Sequence, residues 1–145
     1  MNDAKKPQKD THSGFTKEER DAMKERAREL KASATREEAE KEVLAKIASM
    51  TDADRSIAER IHAIASAVPG LSARLWYGSP AYAKDGKVVV FFQESTKFKV
   101  RYGTLGFSDE AKLDDGSVWP TSYAIEKLTA GDEAKIAALI AKAAG

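Results

Sequence analysis

The dipeptide Asp85-Gly86 separates two apolar stretches, LWYGSPAYA before it and VVVFF at residues 88–92 after it. Asp-Gly is the favoured chemistry of a two-residue hairpin turn, because both turn residues take positive φ. The two flanks are therefore expected to pair antiparallel, so the fold contains a sheet made from neighbours in sequence. VVVFF has no polar gap, which predicts a strand covered on both faces and hence a central one. The next stretch, KFKVRY, alternates strictly, with Phe98, Val100 and Tyr102 on one side and Lys97, Lys99 and Arg101 on the other. That predicts a half-buried strand with its cations roughly 7 Å apart along a wet face. Asp114-Asp115-Gly116 predicts a turn. VWPTSYAI predicts an edge strand, since Pro120 has no amide to donate. GTLGF carries Gly103 and Gly106 but lacks the third glycine and the helix of a dinucleotide loop, so it reads as a turn.

The period differs on either side of this sheet. Thr16 with Glu19 and Thr35 with Glu38 form two capping boxes, which predict two successive helices within residues 15–50. The first has only the narrow stripe Met23, Ala27, Leu30 and is expected to dock weakly. The second has Val43, Leu44, Ile47 and Met50 on one side. A third helix starts at Thr51 or Asp52, carries Ile57, Ile61, Ile64 and Val68, and stops at Pro69-Gly70. A terminal helix follows Thr129, with Ile136, Leu139 and Ile140 on one side. Residues 1–14, rich in Lys, Asp, Pro and Gln, read as a disordered tail. The fold class expected is α+β. It comprises a charged N-terminal helical extension (residues 15–50) and a domain (51–145) whose antiparallel sheet of four to five strands has helices packed on one face.

Composition removes several functions. With no cysteine there is no disulfide, thiolate nucleophile or thiolate metal site. The net charge of +1 gives no bulk attraction for a polyanion. No apolar run is long enough to cross a membrane, and the start lacks the apolar centre of a signal peptide, so the cytoplasm is the expected setting, without a membrane partner. His12 and His62 are the only histidines, and there is no nucleophile elbow, so no hydrolase triad is expected and the chain reads as a non-enzyme.

The stretch WYGSPAYAKDGKVVVFFQESTKFKVRYGTLGF resembles the YdhG-like family, domain of unknown function 1801. The pattern of that family is an aromatic, Gly, often Met, Pro, then Ala or Gly with an aromatic, followed by a short turn and an apolar strand. Here it reads Trp76, Tyr77, Gly78, Ser79, Pro80, Ala81, Tyr82, Asp85-Gly86 and 88–92, with Ser79 where Met is common. The resemblance covers roughly the last two-thirds of the chain, one domain's worth. It implies a compact domain with an antiparallel sheet and, because some members are described as iron chaperones with a frataxin-like role, iron as one cargo.

Two candidate sites follow. Trp76, Tyr77, Pro80, Tyr82 and Trp119 are candidates for a small-ligand cleft. The competing reading of the same residues is a strand bent at Gly78 whose aromatics pack the core. Asp109, Glu110, Asp114 and Asp115 are the candidate iron ligands, with Asp52 and Asp54 as further carboxylates; turn and capping chemistry accounts for the same residues. An iron chaperone is expected to show an acidic ridge, but Glu37, Glu38, Glu40 and Glu42 are interleaved with Arg36, Lys41 and Lys46. The basic face of KFKVR reads as solvated, and a nucleic-acid partner is not expected while Phe98 and Tyr102 point away from it. The charged N-terminal helix is the alternative functional element, as a surface for a protein partner.

Overall fold

The computed structural model describes residues 15–145, so the tail expected at residues 1–14 lies outside the described residues. The element order is α1 (Lys17–Ala48), α2 (Asp52–Ser66), β1 (Leu71–Trp76), β2 (Ser79–Lys84), β3 (Lys87–Gln93), α3 (Ser95–Phe98), β4 (Gly103–Phe107), β5 (Ser122–Ile125) and α4 (Ala130–Ala144). The chain divides into two compact units at Thr35/Arg36.

In the first unit, each described residue is exposed, Met23 and Leu30 included. The Thr16–Glu19 capping box forms as expected, with both reciprocal bonds present. The Thr35 box does not form. Thr35 lies inside α1, and its hydroxyl donates to the Lys31 carbonyl one turn back, so the two helices expected over 15–50 are one element. A threonine can satisfy its hydroxyl this way inside a helix as readily as it caps one.

The second unit begins at Arg36, earlier than the boundary expected at residue 51, because Val43 and Ile47 of α1 are core residues. Its sheet runs in the order β1-β2-β3-β4-β5, and every pair is antiparallel. The Asp85-Gly86 turn forms with both φ angles positive (51° and 80°), and β3 is the central strand. Strand alternation puts Tyr82, Val90, Phe92 and Leu105 on the face covered by α2, α4 and the end of α1, where Ile47, Ile61 and Ile140 meet them. Among the described residues, the hydrophobic cluster on the opposite face includes no helix residue. It is a small second cluster of Ala81, Ala83 and Val88 under the rings of Trp76 and Phe91.

Three sheet expectations need correction. WYGSPAY is not one bent strand: Tyr77-Gly78 (φ 51° and 78°) reverses the chain completely, and β1 pairs with β2 from Trp76↔Ser79 to Leu71↔Lys84. Residues 97–102 are not a strand. The chain leaves β3, makes the single turn α3, and is closed by Lys99 in the left-handed region (φ 57°), with the Lys99 and Val100 amides donating to Thr96 and Ser95 carbonyls. GTLGF is not a turn; it is β4. Its glycines are spaces for rings, since a Cβ on Gly106 would stand 2.3 Å from the Phe91 ring and one on Gly103 would stand 2.7 Å from the Phe92 ring. The edge strand after Pro120 is β5, which starts only at Ser122.

Candidate functional site

The sheet register separates the five aromatic-cleft candidates. Trp76 lies on the face of the second cluster and packs against Phe91 with ring centroids 5.0 Å apart. Tyr82 and Pro80, two residues apart on β2, face the helices and are fully buried. Trp119 packs partly buried against the main core. A single cleft shared by Trp76, Tyr82 and Trp119 is therefore not formed. Tyr82 has a structural role instead. Its hydroxyl is 3.0 Å from His62 Nδ1, and His62 Nε2 is 3.5 Å from a Glu40 carboxylate oxygen. Burial, and secondarily the Glu40 charge, pushes the Tyr82 phenol pKa up. The phenol and the imidazole share one hydrogen bond, and the other His62 nitrogen faces Glu40.

The carboxylates proposed for iron are also dispersed. Asp109, Glu110, Asp114 and Asp115 are exposed on a loop whose inward residues are Ala111 and Leu113. Among the described residues no three His, Asp or Glu side chains gather to hold a metal ion. Asp52 pairs with Arg55 at 2.8 Å. Asp54 is buried and fully engaged: its carboxylate accepts from Ser95 N (3.2 Å), Ser95 Oγ (2.7 Å), Thr96 N (3.1 Å) and Thr51 Oγ1 (3.2 Å). Burial alone pushes the Asp54 carboxyl up, but the Ser95 and Thr96 hydrogen bonds together outweigh it and hold it below the ordinary carboxylate value.

Asp54 therefore caps α3 from a distant part of the chain. Beside it, buried Glu94 pairs with Lys46 at 2.7 Å. These two ties, to α2 and α1, fix the path taken after β3 and turn residues 97–102 outward. What they present is a surface at one end of the sheet. Lys97 Nζ lies across the β1–β2 turn, making a long 3.5 Å contact to the Tyr77 carbonyl, and sits 5.5 Å from the centre of the Phe98 ring. Tyr77 meets Trp76 edge to face at 4.8 Å and is otherwise 85% exposed. Phe98 (41%) and Val100 (47%) are exposed as well. Arg101 stands 5.4 Å from the Tyr102 ring, with its guanidinium 3.6 Å from Glu126. Lys97, Lys99 and Arg101 thus share an exposed segment with the aromatics, rather than lying on the opposite face from them.

Of the cleft candidates, Tyr77 and Trp76 belong to this surface. The surface also includes Lys97, Phe98, Lys99, Val100 and Arg101, which the strand reading of KFKVRY had placed on two sides of a sheet. The signal that could have exposed them is the Tyr-Gly pair at 77–78: it sits two residues before a proline and between two alternating stretches. Elsewhere, a groove of about 420 Å³ runs beside His62 between the end of α1 and α2, and a cleft of about 210 Å³ lies between β5 and α4 near Lys135. In the groove, both His62 nitrogens already face partners. Compared with known proteins, the chain matches no family model, no curated protein and no solved structure.

Proposed function

We propose that this protein is a small non-enzymatic binding domain whose contact surface is the sheet end formed by Tyr77-Gly78 and residues 97–102. One observation supports this most directly. Tyr77 is a bulky residue held at φ 51° with 85% of its surface in water. The left-handed region disfavours such a side chain by about 1 kcal/mol or more, and the equivalent position of the other hairpin has Asp85, which tolerates it. An aromatic kept where neither backbone nor burial favours it is better explained by what it touches outside the chain. The resemblance to YdhG-like domains adds to the reading, because its aromatic-Gly-x-Pro motif falls at this tip. A cysteine-free composition is compatible with a reducing cytoplasm, the setting this reading assumes.

Iron as cargo rests on the resemblance alone. A second reading, with the charged arm as a protein-partner surface, rests on the exposure of every described residue from 15 to 38. One experiment separates the three. Amide shifts of the full chain are followed while ferrous or ferric iron, an acidic peptide, a single-stranded oligonucleotide and anionic vesicles are added in turn. The binding-domain reading expects at least one probe to shift Tyr77, Gly78 and residues 97–102 together. Iron-dependent shifts confined to Asp109–Asp115 would replace it with the carrier reading. If no probe moves either region and a partner is lost on deleting residues 1–34, the arm reading replaces it.

A further inference from the structure

Resting on that reading, we infer that the surface at Tyr77 and residues 97–102 takes single-stranded nucleic acid, with bases on the rings and phosphates on the cations. Along the segment, ring and cation alternate: Lys97, Phe98, Lys99, then Arg101 and Tyr102, with Tyr77 beside Lys97. The structure puts two of these cations against rings, Lys97 near Phe98 and Arg101 near Tyr102. A single strand repeats a flat apolar base and a negative phosphate, and sequence-tolerant binders meet it with this pairing of stacking platform and positive charge. Charge complementarity favours the same occupant. Lys97 and Lys99 form no ion pair with a described carboxylate, and Arg101 has only the exposed Glu126 at 3.6 Å.

A vesicle surface is the weaker match, because an interfacial anchor needs a continuous apolar helix face, whereas α3 is a single turn and Val100 is the one exposed aliphatic in the segment. A duplex is weaker still, since its bases are stacked on each other and offer no free faces to Tyr77 or Phe98.

The test uses the full chain and a fluorescein-labelled twelve-nucleotide oligothymidylate, read by anisotropy at several salt concentrations. Three cations, each releasing about 0.7 counterion from a single strand, give an expected slope of log K against log salt of about −2. Tyr77→Asn keeps the left-handed turn and removes the ring; Phe98→Ala removes the second ring. Each is expected to weaken binding about fivefold or more with the slope unchanged. Lys99→Ala is expected to flatten the slope by about 0.7. No anisotropy change up to about 100 μM protein at low salt would overturn the inference. So would binding that Tyr77→Asn and Phe98→Ala leave intact, or equal affinity for the matching duplex, because either means bare charge attraction. If the oligonucleotide fails while an acidic peptide or an anionic vesicle shifts the same amides, the nucleic-acid assignment falls and the binding-domain reading stands. If none of them does, both fall.

Discussion

Replacing Asp54 tests how the surface is built. The carboxylate is buried and receives three hydrogen bonds from Ser95 and Thr96, at 2.7–3.2 Å. A single bond to a charged acceptor contributes about 1.5–3 kcal/mol net. Burial works against the charge here, and three bonds on one carboxylate are not additive, so their joint contribution falls below the sum of the separate values. Asp54→Ala is expected to lose about 3 kcal/mol, and Asp54→Asn, which keeps one acceptor oxygen, about 2 kcal/mol. The pH dependence identifies the charge as the cause. The folded-state value of Asp54 lies below its ordinary one. Its share of stability is therefore complete above the unfolded-state value near 4 and disappears as the pH falls through the folded value. Urea unfolding followed by tryptophan fluorescence across pH 3–7 reads both quantities. The gap between the original chain and Asp54→Asn is expected to be full at pH 7 and to narrow steadily as the pH falls below about 4. A gap under about 0.5 kcal/mol at pH 7, or one of the same size at both ends, would refute the capping argument.

Other substitutions probe the remaining supports. Gly106→Ala drives a methyl into the Phe91 ring and is expected to lose about 1–3 kcal/mol, measured by urea unfolding, with a smaller loss in a Phe91→Leu background. Tyr77→Asn is expected to raise stability by about 0.5–1 kcal/mol while weakening binding, because it relieves the left-handed strain; a stability loss would show that the ring packs rather than protrudes. Tyr82→Phe removes the His62 contact and is expected to lose about 1 kcal/mol and to move the His62 ring resonances. In the original chain one tyrosine should stay un-ionised in an absorbance titration where an ordinary tyrosine titrates, at about pH 10.

The local parts of this fold were legible in the residues. Asp85-Gly86, the unbroken 88–92 strand, the Thr51 and Thr129 caps and the apolar stripes of α2 and α4 are all set by chemistry within a few positions of themselves. The misreadings share a different cause. KFKVRY alternates like a strand, yet its path is decided by Asp54, 41 residues before Ser95, and no local pattern announces that cap. Gly103 and Gly106 look like turn residues until Phe92 and Phe91, from the neighbouring strand, are seen to fill the space their side chains would need. Tyr77-Gly78 was hidden because tyrosine is a poor first residue for that turn. The same mismatch makes it the strongest pointer to a contact surface. For the aromatics of WYGSPAY the packing reading holds at Tyr82 and fails at Tyr77.

The proposed surface exists only if residues 95–102 leave the sheet and lie beside the first hairpin, with Lys97 across Gly78. Through-space proton contacts in solution measure that arrangement directly. Contacts from the Lys97 side-chain methylenes to Gly78, together with a left-handed coupling constant at Lys99, are the expected result. Regular cross-strand contacts running from Lys97 to Tyr102 against a neighbouring strand would contradict it, and the proposed surface with it.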